Sequence, residues 1–160
     1  MKIAGVLEAV TVLAGCISLV MFAVAAAGAT PAWQCKPTPA DALGPFYQAD
    51  APRRTRVGQG YLLTGVVKSA RNCAPIPGAW IEFWLAGPSG DYDDDHRATV
   101  LADQAGAYRF ESNYPPPYSS RPPHIHLRIS APGFKTLVTQ HYPRKGASEA
   151  SFDLVLRPAG

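Results

Sequence analysis

Short β-rich runs separated by turn signals constrain the fold of this chain more than any other feature. The clearest run is 79–86, in which apolar residues alternate with others. Because neighbouring side chains of a strand point to opposite faces, Ile81, Phe83 and Leu85 are predicted to face a core. Seven runs recur at intervals of about 8–15 residues: 61–69, 79–86, 98–102, 107–111, 124–130, 135–140 and 151–157. The pattern predicts an all-β fold, an antiparallel β-sandwich.

The composition supports one folded domain with many turns. The sequence has 16 prolines and 14 glycines, and 47% of its residues are hydrophobic. The aromatic and β-branched content is too high for a disordered chain. Residues 30–60 lack periodicity and carry several turn signals, so we expect an extended N-terminal arm on a sandwich domain that spans 30–160. The formal net charge is +3 with no basic run longer than Arg53-Arg54, which argues against a nucleic-acid partner.

The first 29 residues have the composition of a targeting segment. Lys2 precedes a nearly uncharged apolar stretch, and Ala27-Gly28-Ala29 offers the small residues that a signal peptidase reads. The stretch is also nearly long enough to span a bilayer, which needs about 20 residues. We therefore expect 1–29 to be a signal peptide that directs export to the periplasm or the cell exterior. A retained membrane anchor is the alternative.

Two cysteines, Cys35 and Cys73, remain after such a cleavage. An even number of cysteines in an exported domain favours a disulfide. The bond would tie the N-terminal arm to the first strand pair. Two free buried thiols are the alternative.

The pair His124 and His126 is the strongest sign of chemistry in the chain. On a strand, the i, i+2 spacing places both rings on one face. Ile125, Leu127 and Ile129 then take the opposite, apolar face, so the histidines point away from the core. The preceding Arg-Pro-Pro favours an extended entry to the strand. This is the arrangement of a metal site on a sheet.

Tyrosines are the donors that lie near this pair in sequence. Zinc is the usual metal for histidine ligands, but neither His96 nor His141 has a telling spacing as a third ligand. Tyr118 and Tyr92 are available instead, although a phenol with a pKa of about 10 is a poor ligand for a divalent ion. Ferric iron changes this, because its charge displaces the phenolic proton. A ferrous site with a carboxylate from the acidic run 93–95 remains the alternative.

Several segments together resemble the intradiol ring-cleavage dioxygenases, the family of the protocatechuate and catechol dioxygenases. The strongest match is RPPHIH at 121–126, preceded by GDY at 90–92 and followed by TQ at 139–140. Weaker matches, which many sandwiches share, are GPFY at 44–47, LTGVV at 63–67, PGAWIEFW at 77–84 and DQAGAYRF at 103–110. The resemblance implies a prealbumin-like β-sandwich of the intradiol dioxygenase type.

The resemblance also implies a site and a reaction. It implies that Fe(III) is bound by Tyr92, Tyr118, His124 and His126. Tyr92 would stay bound, whereas Tyr118 would be displaced by the substrate. Arg121 and Gln140 match the active-site arginine and glutamine of the family. The implied reaction uses O2 to cleave a catechol-like ring between its two hydroxyls, giving a muconate-type diacid, as in the catabolism of aromatic compounds.

Two departures from the family pattern bear on the substrate. Phe46 stands where protocatechuate-type members have a tyrosine near the substrate. The segment from Tyr118 to His124 is shorter than in the well-known enzymes, which would either tighten the site or displace Tyr118. The sequence leaves the particular catechol and the oligomeric state open.

Other functions remain open at this point. The chain would also suit an exported, non-catalytic prealbumin-like binding module, or a sandwich that binds a metal through its histidines without oxygenase activity. In those cases Tyr118 would be a turn residue, Arg121 a surface ion-pair partner and Gln140 a partner of backbone groups. Of these functions, only cleavage of a catechol-like ring by an iron dioxygenase needs all the site residues together.

Overall fold

Eight strands form the domain in the computed structural model, which describes residues 32–160. They are β1 (Tyr61–Ser69), β2 (Trp80–Leu85), β3 (Arg97–Leu101), β4 (Ala107–Ser112), β5 (Ile125–Ser130), β6 (Leu137–His141), β7 (Glu149–Ser151) and β8 (Leu154–Leu156). The helical structure of these residues is a short 3₁₀ helix, Asp94–His96. Within 32–160, no helix has the length and apolar character needed to cross a membrane. The predicted leader, 1–29, lies outside the described residues.

The strands form two sheets that pack as a sandwich. One sheet has the order β3-β2-β5-β6, and the other has β4-β1-β7, with β8 also paired to β1. The inner faces meet in a continuous apolar core, where Phe83 stacks on Phe110 with ring centroids 4.1 Å apart. Ile81, Leu85 and Ile125 are fully buried beside them, as the alternation predicts. The predicted all-β sandwich is confirmed.

The last predicted strand, 151–157, is divided in two, and both pieces pair with β1 in parallel rather than antiparallel. The cause is Asp153, whose carboxylate accepts the backbone N–H of Val66 at 2.9 Å and so takes the place of a strand carbonyl. The same carboxylate pairs with Lys68 at 2.5 Å. Gly65 allows this approach, because a Cβ there would collide with the backbone of Phe152. Side-chain competition for one backbone donor therefore interrupts the strand.

The N-terminal arm, residues 32–60, crosses the outer face of the β3-β2-β5-β6 sheet. Asp41 donates its backbone N–H to Val138 on β6 at 2.9 Å, and Thr139 donates its hydroxyl to Pro39 at the same distance. Further along, the backbone N–H of Thr99 on β3 donates to Pro52 at 2.9 Å. A disulfide between Cys35 and Cys73 fastens the start of the arm to the turn after β1, with Cα atoms 5.3 Å apart. The predicted arm and disulfide are both confirmed.

Candidate functional site

The two histidines lie at the start of β5, between the sheet and the arm. Both are buried, at 3% and 2% exposure for His124 and His126. His124 directs Nδ1 at the carbonyl of Pro122, 2.7 Å away, so this nitrogen carries the proton and the Nε2 lone pair faces the site. The ring of His126 stacks on Trp84 of β2 with centroids 4.8 Å apart and planes 7° apart. The predicted common face is confirmed, with ring centroids 4.8 Å apart.

Both predicted tyrosines reach the same place from different loops. Tyr92 follows a turn closed by the Gly87 N–H to Asp91 carbonyl bond, and its hydroxyl lies 3.1 Å from His124 Nε2. Tyr118 meets the Tyr92 ring edge-on, with centroids 5.4 Å apart. Phe46 of the arm stacks on Tyr92 at 4.3 Å and lies edge-on to Tyr118 at 5.2 Å. The structure therefore brings together all four residues that the resemblance assigns to the metal.

The protonation of these groups suits a site that is completed by a cation. Burial raises the pKa of the Tyr92 phenol to about 12. Burial, together with the nearby His124 and Arg121, lowers the pKa of His126 to about 4. The imidazole is thus neutral and able to bind a metal at neutral pH, whereas the phenol does not ionise without a strong positive charge beside it.

An unsatisfied polar atom supports the same interpretation. Nδ1 of His126 is buried and has no hydrogen-bond partner among residues 32–160. Native proteins rarely leave such an atom unpaired. Two imidazoles and two phenols also form a donor set that fits a trivalent transition metal. The residues present therefore fit ferric iron.

The alternative of a ferrous site with a carboxylate ligand from the acidic run 93–95 is not supported by the contacts of these side chains. Asp93 accepts both the backbone N–H and Nδ1 of His96, the latter at 2.6 Å, and Asp94 pairs with Arg97 at 2.7 Å. In the part of the chain that the structure describes, no three histidine, cysteine, aspartate or glutamate side chains cluster as metal ligands. Asp93 instead caps the short 3₁₀ helix, and Asp94 and Asp95 are exposed residues of its first turn.

The shortened segment after Tyr118 closes as a tight turn. The backbone N–H of Tyr118 donates to Arg121 at 3.2 Å, and that of Arg121 donates to Tyr118 at 2.9 Å. Ser119, at φ 53°, takes the left-handed conformation that the turn needs. The turn holds Tyr118 in the aromatic cluster and sets Arg121 beside it. Tyr118 is therefore not displaced from the other site residues, which was one of the two expected consequences of a short segment.

Arg121 and Gln140 are in contact, and the residues around them were missed by the sequence analysis. The Arg121 guanidinium donates to Gln140 Oε1 at 2.8 Å and to the Tyr142 hydroxyl at 3.0 Å. That hydroxyl lies 2.8 Å from a carboxylate oxygen of Asp41 in the arm. Tyr142 had one signal in the sequence, its i, i+2 spacing from Gln140, although it lies just after the end of β6. Asp41 had none, because the path of an aperiodic arm is not encoded in a local pattern.

The chain is similar in sequence to known dioxygenases. A family model described as Dioxygenase matches residues 37–147. The chain is 34% identical to catechol 1,2-dioxygenase from Candida albicans over 136 residues, which is 62% of this chain and 45% of that protein. It is 30% identical to hydroxyquinol 1,2-dioxygenase from Rhodococcus opacus over 135 residues, 64% of this chain and 45% of the relative. The chain thus spans about half the length of the curated relatives it matches.

Solved structures give the same picture. The dioxygenase domain of a dioxygenase carbohydrate-binding protein fusion from the cellulolytic bacterium Streptomyces sp. SirexAA-E matches with a TM-score of 0.70 and 29% identity, covering 78% of this chain and all of that domain. An intradiol ring-cleavage dioxygenase from Tetranychus urticae shares the fold at a TM-score of 0.72 and 19% identity, covering 79% of this chain and 97% of that one. Both matches show that the described residues share the fold of these two dioxygenase structures.

Proposed function

The chain belongs to the intradiol dioxygenase family, and from that premise we propose that it cleaves the ring of a catechol-like aromatic between its two hydroxyls, using O2. The observation that carries the proposal is the convergence of Tyr92, Tyr118, His124 and His126 on one buried point beside Arg121. Both oxygen atoms of O2 enter the product, a muconate-type diacid. The relatives are named for catechols, chlorocatechols and hydroxyquinol, so we propose a substrate with adjacent ring hydroxyls.

We propose that Tyr92, Tyr118, His124 and His126 hold Fe(III). When bound, the ferric ion would be chelated by the two substrate oxygens and would accept electron density from them, which would make the ring reactive toward O2. The Pro122 carbonyl would hold His124 with its Nε2 lone pair toward the metal, and the stacked Trp84 would hold the ring of His126 in place. The phenol of Tyr92 needs the metal charge to ionise, because burial raises its pKa to about 12.

The other side chains have separate roles in this proposal. A catechol must lose two protons to chelate a metal, and the oxygen of Tyr118, whose side chain is half-exposed, would accept one of them. The guanidinium of Arg121 would stabilise the charge that develops on the ring. Phe46 packs on both tyrosine rings and forms an apolar wall for the substrate. The arm over the site would exclude bulk water from the reacting groups.

We also propose that the protein works outside the cytoplasm. The disulfide between Cys35 and Cys73 supports this, since such bonds persist in oxidising compartments. The composition of 1–29 supports it independently. Mass spectrometry of the mature protein checks the proposal. An N-terminus near residue 30 supports cleavage of a signal peptide, and an intact Met1 in purified cytoplasm contradicts export.

The activity is tested by colour, oxygen uptake and substitution of one ligand. Charge transfer from phenolate to Fe(III) should give the purified protein a visible absorption band. Incubation with catechol in air should consume O2 as the aromatic absorbance is lost. Tyr92→Phe should remove most of the band, whereas the control Tyr114→Phe, on a phenol that contacts Tyr61 instead, should leave it unchanged.

An iron-loaded protein without the band would contradict the two-phenolate site. A coloured protein that consumes no O2 with any catechol would contradict the oxygenase activity and favour a metal-binding sandwich. A protein that retains no iron at all would favour the non-catalytic binding module.

A further inference from the structure

Arg121 is held by two hydrogen-bond acceptors, and both are tied to the arm. Its Nη2 donates to Gln140 Oε1 at 2.8 Å and to the Tyr142 hydroxyl at 3.0 Å. The Gln140 amide in turn donates to the carbonyl of Ala42 at 2.6 Å. The Tyr142 hydroxyl lies 2.8 Å from Asp41 Oδ2. A guanidinium on one loop is thus attached, through Gln140 on β6 and Tyr142 just after the end of β6, to two consecutive residues of the arm.

Counting protons fixes the direction of each bond. A phenol has one proton, and the hydroxyl of Tyr142 accepts from Arg121, so it must donate either to Asp41 at 2.8 Å or to Gln140 Oε1 at 3.0 Å. The carboxylate is the stronger acceptor because it is charged. Burial raises the pKa of Asp41, but bonds from the Ala42 N–H and the Tyr142 hydroxyl, with the charge of Arg121, outweigh this and lower it. Asp41 is therefore ionised and orients the Tyr142 hydroxyl.

Counting the N–H groups of Arg121 in the same way shows which of them are left for a substrate. A guanidinium has five N–H groups, and the two on Nη2 are used by Gln140 and Tyr142. Residues 32–160 provide no side-chain hydrogen bond to the remaining three, on Nη1 and Nε. Because the Tyr118–Arg121 turn fixes the backbone, the two acceptors, Gln140 on β6 and Tyr142 just after its end, determine where these N–H groups point.

We propose that Asp41 and Tyr142 are positioning residues that hold the Arg121 guanidinium in its working orientation. The inference rests on the proposed function, since it concerns the role of Arg121 in the same site. It assigns the arm a direct part in the reaction, through the chain Asp41 to Tyr142 to Arg121. Neither positioning residue lies among the four metal-binding side chains.

A role in stability alone is a poor explanation for this network. Asp41 lies in the exposed part of the arm, and Tyr142 is 41% exposed. Hydrogen bonds and ion pairs at such positions contribute little to the free energy of folding. A small misplacement of a catalytic group, in contrast, lowers turnover strongly. Removing either side chain should therefore reduce turnover while leaving the fold almost unchanged.

The experiment uses Asp41→Ala, Asp41→Asn, Tyr142→Phe and the double variant Asp41→Ala/Tyr142→Phe. Tyr114→Phe is the matched control, because it removes a phenol whose one hydrogen bond within residues 32–160, to Pro143 at 3.4 Å, is weak. For each iron-loaded protein, the visible band, kcat and KM with catechol, and the anaerobic affinity for nitrocatechol are measured. For the metal-free proteins, NMR of the arginine side chains reports whether the Nη groups of Arg121 are restrained, with Arg121→Lys giving the assignment.

We expect Asp41→Ala and Tyr142→Phe each to lower kcat about tenfold, with the visible band retained. The double variant should have a kcat no lower than that of the less active single variant, because both substitutions break the same chain of contacts. Asp41→Asn should stay within about threefold of the wild type, since its amide oxygen still accepts from Tyr142. The restrained Nη signals of Arg121 should disappear in Tyr142→Phe and persist in Tyr114→Phe.

The inference is overturned if Tyr142→Phe behaves like Tyr114→Phe in kcat and in the NMR signals, or if the effects of the two single variants multiply. These outcomes are separate from a failure of the proposed function, in which the wild type itself consumes no O2 with any catechol. An active wild type with unaffected variants contradicts the positioning role alone.

Discussion

Gly44→Ala tests the contact between the arm and the site most directly. Gly44 has φ +74°, a conformation that costs alanine about 1–2 kcal/mol. A Cβ at this position would also lie 2.9 Å from Cε1 of His126. The His126 ring is stacked on Trp84 and has little freedom to turn, so the arm must lift. Overpacking of this kind adds about 1–3 kcal/mol. We expect a total loss of about 2–5 kcal/mol in the free energy of unfolding, together with loss of bound iron.

Gly133→Ala is the matched control for this prediction. Gly133 has φ +80°, and a Cβ there would meet nothing within 4 Å. It therefore carries the backbone cost alone, about 1–2 kcal/mol. Urea denaturation gives the stability of both variants, and metal analysis gives iron per chain. If both variants lose the same stability and retain the same iron, the packing of the arm on His126 is not as described and the reasoning is refuted.

Three further predictions concern stability. Replacing Cys35 and Cys73 by serine should lower the free energy of unfolding by about 4 kcal/mol, because the bond closes a loop with a sequence separation of 38; an unchanged urea midpoint would contradict this. Burial lowers the pKa of His141 to about 4, so the unfolded chain binds the extra proton first and stability falls as the pH drops from about 6.5 to 4. His141→Gln, which keeps a partner for the Tyr61 hydroxyl at 2.6 Å in the wild type, should remove about 2 kcal/mol of that decline, measured as urea midpoints against pH. Phe83→Ala should cost about 3–5 kcal/mol, because a fully buried ring leaves a cavity, and a calorimetric shift no larger than that of a surface substitution would contradict the core assignment.

Strand positions followed from the sequence wherever one face of a strand is buried. The predicted run 61–69 has the bounds of β1, and its residues alternate between buried and half-buried along their whole length. The alternation works because the core is a single apolar layer that every strand meets with one face. The prediction failed at 151–157, where a carboxylate competes with the backbone for a donor. A local pattern does not report on such a long-range competitor.

The residues of the candidate site were likewise predictable only in part. His124 and His126 follow from strand geometry, whereas Tyr92 and Tyr118 were available donors in the sequence that the family resemblance then assigned to the metal. The connection of Arg121 to the arm could not be predicted, because Asp41 contacts Tyr142 from a position 101 residues earlier in the chain, along an arm without periodicity. An extended segment that lies on a sheet is fixed by shape and isolated hydrogen bonds, which leave no repeating signature in the sequence.

The position of the arm also favours the proposed enzyme over a binding module. The outer face of a sandwich sheet is normally wet, and polar side chains on it need no protein partner. Here the arm covers that face, so His126 is 2% exposed and its Nδ1 has no partner among the described residues. Burying a polar ring in this way opposes folding, and an apolar residue in its place would pack more favourably. A sandwich that only needed a stable covered face would not keep two histidines and two phenols beneath its arm, whereas a metal site requires them there.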